Sequence, residues 1–170
     1  PQAFTQDENG NGHFYGHAKI SAQLAEDILH RLKAPNALRE QVVFLIEHHM
    51  TPLEPNKQLL RRRMGKYGDE NMQKLFALQK ADMLATGTKT QEAMQAFSEI
   101  ETLLAEIRAE GDCLTVRDLA VNGSDLLELG IAPGPSIGKC MDYLLTLVQD
   151  EVVANTKEEL LPAAKEFFQI

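Results

Sequence analysis

The chain has no tryptophan, and only 6% of its 170 residues are aromatic. Its two cysteines, Cys113 and Cys140, stand 27 positions apart. That separation matches no zinc-ligand spacing and no disulfide framework. Reduced thiols are the expected state, which suits a cytoplasmic protein. No apolar run is long enough to span a bilayer, and no signal peptide is recognisable. Nucleophile elbow, P-loop and dinucleotide glycine patterns are all missing. Gly10 and Gly12 follow no strand pattern and belong to a polar turn cluster, residues 7–12. Basic residues are in deficit: 17 Lys and Arg against 25 Asp and Glu give a net charge of −8 and a pI near 5.1. This argues against a free-standing, non-specific nucleic-acid binder, while leaving room for local basic patches.

What the chain does have is helical periodicity. At 44% apolar residues a packed core is attainable, in one large or two small domains. Ile20, Leu24, Ile28 and Leu32 recur every fourth residue and predict a helix over about 17–33. Asn36 is read as the N-cap of a second helix carrying Leu38, Val42, Leu45, Ile46 and His49, ended by Pro52 and Pro55. A third helix is expected over about 56–66. A fourth follows from Asp69, with Met72, Leu75, Phe76 and Met83 in register. A fifth runs over about 89–109 and stops at Gly111. Beyond it the texture changes to short helices. Thr115 with Asp118 and Thr156 with Glu159 read as capping boxes, and Ser124 as a cap after an Asn122-Gly123 turn. A last pair of helices covers about 135–150 and 156–168. No strand pattern is found. The expected fold is all-α: a five-helix unit, residues 1–110, and a helical tail, residues 111–170.

Three groups of residues could carry chemistry. His17, His48, His49 and Asp82 are nitrogen and carboxylate donors suited to a divalent transition metal. Yet His48 and His49, being adjacent on a helix, point about 100° apart. The alternative is a packed His49 and a solvated His48. The run Arg61-Arg62-Arg63 with Lys66 is either a solvated helix face or an electrostatic footprint for RNA phosphates. The third group is the hinge Gly130-Ile131-Ala132-Pro133-Gly134-Pro135-Ser136-Ile137-Gly138-Lys139. Pro135 stands where a helix begins well. The unbonded amides of that first turn and the helix dipole favour an anion. Gly138 would let a backbone come close, and Lys139 could add a point charge. The same hinge also reads as an ordinary turn.

Val121-Asn122-Gly123-x-Asp125-Leu126, followed by Gly130-x-x-Pro133-Gly134-Pro135-x-Ile137-Gly138, resembles the RNA-contacting tail of bacterial tRNA nucleotidyltransferases. These are the CCA-adding enzymes related to poly(A) polymerases. Asn155 with Glu158-Glu159-Leu160-Leu161 resembles that family's closing helix. Phe14-Tyr15-Gly16-His17-x-x-x-Ser21-Ala22, Glu47-His48-His49 and Ala81-Asp82 resemble its HD-type domain. The resemblance covers nearly the whole chain. It implies RNA contact at Asn122, Gly123, Gly134, Ser136, Gly138 and Lys139, with tRNA as partner. It implies a partial metal site at His17, His48, His49 and Asp82. The family's defining His-Asp pair is absent and is expected just upstream of Pro1. The nucleotidyltransferase head is also absent, and with it the catalytic residues, the Mg2+ site and the ATP and CTP sites. On this reading the chain positions tRNA for a head it lacks. The alternative is a metal-dependent HD-type phosphohydrolase domain with an accessory tail, or a purely structural helical scaffold.

Overall fold

The computed structural model describes residues 16–85, 90–111 and 114–169, together with the backbone at 5–6 and 12–13. The fold is all-α. Eight α-helices stand among the described residues: α1 His17–Arg31, α2 Asn36–His48, α3 Lys57–Tyr67, α4 Asp69–Ala85, α5 Gln91–Glu110, α6 Gly123–Glu128, α7 Pro135–Gln149 and α8 Lys157–Phe168. A 3₁₀ turn covers Val116–Asp118. One departure from expectation is a minimal antiparallel ladder, β1 Thr5–Gln6 and β2 Gly12–His13, with Thr5 opposite His13. Two-residue strands are too short to show the alternation by which strands are read from sequence.

Two compact units form, and they do not divide at residue 110. One holds residues 1–53 and 69–94; the other holds 54–68 and 95–170. The second unit therefore takes α3 and most of α5 in addition to the tail helices.

In the first unit α1 packs on α2, and α2 on α4. The apolar stripe of α1 is regular, but its burial is not as expected. Leu24 is 53% exposed, and Ile28 and Leu32 are also exposed, while Ala22 is the buried residue of the helix. Periodicity shows that a helix has an apolar face; it does not show that the chain supplies something to cover it. Asn36 is the first helical residue rather than the cap. Pro35 holds the cap position and no side chain caps the helix.

In the second unit the tail builds its own core. Leu126, Leu144, Cys140, Leu160 and Ala164 are fully buried, joined by Val121 and Ile131. Each buried leucine removes enough apolar surface from water to contribute about 1.5–3 kcal/mol. Burial pushes the Cys140 thiol pKa up, so this cysteine behaves as a small apolar side chain. Local chemistry sets the helix ends. Asn122, not Ser124, caps α6: its Oδ1 accepts from the Ser124 and Asp125 amides, and Asp125 Oδ2 accepts from the Asn122 amide at 2.8 Å. Thr115 and Asp118 form the expected reciprocal box. The Thr156–Glu159 box is not made; Glu159 instead accepts from the Ala154 amide at 2.5 Å. Asn155 stitches the segment before α8 to the 3₁₀ turn, its Oδ1 accepting from Ala120 N at 2.7 Å and its Nδ2 donating to the Asp118 carbonyl at 2.8 Å.

Helix α3 lies hard against the strand of chain at Leu114. A Cβ on Gly65 would sit 2.0 Å from the Leu114 carbonyl oxygen. Gln149 Nε2 donates to the same carbonyl at 3.0 Å, holding it in place from α7. Gly65→Ala is expected to force α3 and this segment apart and to cost about 1–3 kcal/mol, the usual range for overpacking; a melting temperature equal to wild type would contradict this contact. A second expectation concerns acid. The Lys157 ammonium and the Asn122 amide hold the Asp125 carboxyl below the ordinary aspartate value of 3.8. A carboxyl lowered in the folded state contributes stability above its unfolded pKa and loses it as pH falls through the folded one. Asp125→Asn should therefore flatten the loss of tail stability below about pH 4, read by urea titrations at several pH values.

Candidate functional site

In the first unit, α1 begins at His17 and α2 ends at His48, with His49 as the C-cap residue. His17 and His49 come together. Their Nε2 atoms lie 3.2 Å apart and their rings meet edge to face, with centroids 5.2 Å apart. His49 Nδ1 lies 2.7 Å from the Ile46 carbonyl, which can only accept, so Nδ1 carries the proton. With Nδ1 so engaged, His49 turns Nε2 toward His17, leaving that nitrogen as the one through which its imidazole could bind a metal. Gln79 fixes the end of α2 by donating its amide to the carbonyls of His49, at 2.9 Å, and Thr51, at 2.7 Å. His48 does not join the pair. It turns to Phe44, with ring centroids 4.7 Å apart. The 100° offset of neighbouring helical residues accounts for the separation. Asp82 shares a cleft of about 250 Å³ with His49, Ile46, Leu78 and Gln79, and is exposed rather than enclosed. Among the described residues no three His, Cys, Asp or Glu side chains converge on one point. His17 and His49 could supply two nitrogens to a divalent ion, and a tetrahedral or octahedral shell needs more.

The basic run on α3 is divided: Arg62 and Lys66 are exposed, while Arg61 is buried. Arg61 is 6% exposed; its Nη1 donates to Glu151 at 2.6 Å and its Nη2 to Glu110 at 3.3 Å. Lys57 pairs with Glu110 at 2.7 Å, and Arg62 with Asp150. These cations hold the C-terminal ends of α5 and α7. Nothing in the local sequence of α3 could reveal this, because the partners lie about fifty and ninety positions away.

The Gly-Pro hinge is a different kind of site. Gly130, in the left-handed region at φ 84°, ends the α6 turn. Ile131 then returns to the core, and Pro133–Gly134 lead out again to α7. Pro135 occupies the first helical position and Gly134 the N-cap, without a side-chain cap. Ile137 N–H bonds the Gly134 carbonyl at 3.1 Å. Pro135 has no N–H, so the Ser136 amide is the first-turn donor left without an intrahelical partner. Gly134, Ser136, Gly138 and Lys139 are all exposed. The six residues singled out in the sequence divide here. Gly123 packs beside the first turn of α7, its would-be Cβ 3.6 Å from Ile137 Cγ2. The Asn122 oxygen is taken up in capping α6. The remaining four line the free end of α7.

Two glycines at this end have no internal cause. Gly134 has an extended backbone that any residue adopts, and a Cβ there would meet nothing within 4 Å. Gly138 lies inside α7, and a Cβ there would also meet nothing within 4 Å. Glycine inside a helix costs about 0.8–1 kcal/mol relative to alanine. Gly138→Ala is thus expected to raise the melting temperature; a lowered one would mean that packing within the fold requires this glycine.

Among the described residues no helix is long and apolar enough to cross a membrane. Residues 3–164 match the family model described as tRNA nucleotidyltransferase domain 2, putative. The chain is similar to a CC-adding tRNA nucleotidyltransferase of Thermus thermophilus, 32% identical over 152 residues, which are 89% of this chain and 33% of that protein. It is similar to an A-adding tRNA nucleotidyltransferase of Deinococcus radiodurans, 27% identical over 146 residues, 85% of this chain and 33% of that one. A CCA-adding enzyme of Latilactobacillus sakei is 46% identical over 48 residues, 28% of this chain and 12% of that one. The chain thus spans about a third of the length of the first two relatives. No solved structure matches it. With a family model covering all but a few terminal residues, the chain belongs to the tRNA nucleotidyltransferase domain 2 family.

Proposed function

We propose that this chain is the helical portion of a tRNA nucleotidyltransferase that holds tRNA while nucleotides are added to its 3′ end at a site outside these residues. The incoming ATP and CTP, and the Mg2+ of the transfer reaction, belong to that other site. The grip is on the backbone. The Ser136 amide and hydroxyl, the positive end of the α7 dipole and the Lys139 ammonium face one phosphate. Gly134 and Gly138 let the sugar-phosphate chain approach the helix. Such contacts position an RNA and carry no sequence information themselves. Asn122 and Gly123 serve indirectly, by setting α6 against the first turn of α7.

The observation that carries this reading is the open space around Gly134 and Gly138. The fold gains nothing from either glycine, so their use lies with something that approaches from outside. The overall charge of −8 fits a single modest contact rather than a broad basic surface. In gel-shift titrations with a tRNA transcript and the intact protein, Lys139→Glu should weaken binding about fivefold or more near 0.15 M salt. It should also reduce the slope of log K against log salt by about one. Gly134→Val should weaken binding without changing that slope. Wild-type affinity in both variants would sink the assignment of the hinge.

A further inference from the structure

In a chain so poor in aromatics, three of them meet at one place in the tail. Tyr143 of α7 and Phe167 of α8 have ring centroids 5.1 Å apart with planes 35° apart, and Phe168 meets Phe167 edge-on at 5.1 Å. Tyr143 and Phe168 pack against the tail core; Phe167 is not among the side chains that do. It is 37% exposed, and its ring contacts are those two aromatics. Packing covers most of this ring and leaves its open third to be explained.

Position along α7 gives the reason. Tyr143 lies four residues after Lys139, one turn or about 5.4 Å along the same face. Helical side chains lean toward the N-terminus, so the Tyr143 ring inclines toward the turn that carries Lys139. The phosphate contact of the hinge and the aromatic pair are thus neighbouring parts of one surface. The charges nearest the rings decide what the pair would take. Lys139, one turn before Tyr143, is the charge on that face; Asp142 and Glu166, adjacent in sequence to the rings and exposed, are offset by about 100° around their helices. A nucleobase is flat, neutral and able to stack, and a base next to a phosphate held at Lys139 would reach the rings.

We infer that Tyr143 and Phe167 form a stacking platform for an exposed nucleobase of the bound RNA, one turn of α7 away from the phosphate held at Ser136 and Lys139. This rests on the reading of the hinge given above and adds to it a contact with a base. Stacking on an aromatic side chain tolerates any base, so the platform would recognise that a base is exposed rather than which base it is.

The test uses the intact protein and a tRNA transcript. Phe167→Leu keeps apolar bulk and removes the ring; Phe167→Tyr keeps the ring. Phe167→Leu should bind at least about fivefold more weakly, the lower end of what losing one stacked base costs. The salt slope should stay unchanged, because no phosphate contact is lost. Phe167→Tyr should bind as wild type. Transcripts carrying one abasic nucleotide at each unpaired position in turn should include one that weakens wild-type binding and leaves Phe167→Leu binding no weaker than before. Wild-type affinity for Phe167→Leu, or no sensitive abasic position, overturns the platform. If Lys139→Glu still weakens binding in that assay, the hinge reading survives the loss of the platform. If neither variant changes affinity, both fall.

Discussion

The hinge depends on burial at its two ends. Ile131 is held in the tail core before the Pro-Gly-Pro segment, and Cys140, Met141 and Leu144 are held in the same core after it. The exposed residues between them have little freedom, because two prolines fix φ and both flanks are anchored. The free end of α7 thus points where the core directs it. A core leucine lost here, Leu126 or Leu144, would cost about 2–5 kcal/mol and would release the hinge as well. The Asn155 clamp and the Asp125–Lys157 pair secure the same core from α8. As polar contacts at the edge of the core they contribute less than the apolar burial they hold in register.

Much of this was legible from residue types. Each α-helix among the described residues lies within a few residues of its expected span, because each has a capping residue, a proline or a glycine near a boundary. The Gly-Pro hinge was readable because Pro and Gly constrain the backbone in ways that do not depend on distant neighbours. Local pattern and structure part where two nearby residues compete for the same bond. Asn122 and Ser124 are both good caps, and the chain uses Asn122. Glu159 could reach Thr156 but bonds the Ala154 amide. A spacing rule gives both partners in each case and does not choose between them.

A second class of property was invisible for a different reason. The apolar stripe of α1 signals a buried face, yet Leu24, Ile28 and Leu32 remain exposed. The Arg61–Arg63 run signals a charged surface, yet Arg61 is buried among carboxylates from distant parts of the chain. In the candidate site the meeting of His17 with His49, and the diversion of His48 to Phe44, followed from how α1 and α2 pack. The spacing said only that two adjacent histidines could not both point the same way. The aromatic group of Tyr143, Phe167 and Phe168 was likewise hidden, since its members lie on two helices and share no motif.

Arg61 has a consequence for how the molecule is made. It stands in α3, ninety positions before Glu151, and its buried guanidinium is balanced by that residue and Glu110. During synthesis α3 is complete long before α7 and its C-terminal turn exist. Until they arrive, the guanidinium must stay in water and the apolar side of α3 must wait uncovered. The second unit, interrupted in sequence by the whole of α4, can close only after α7 has been made. A tail cut away at Gly111 would lose α3 and α5, and so would lack a wall of its own unit. For this chain, a boundary drawn where the texture of the sequence changes is not a boundary at which folding can be divided.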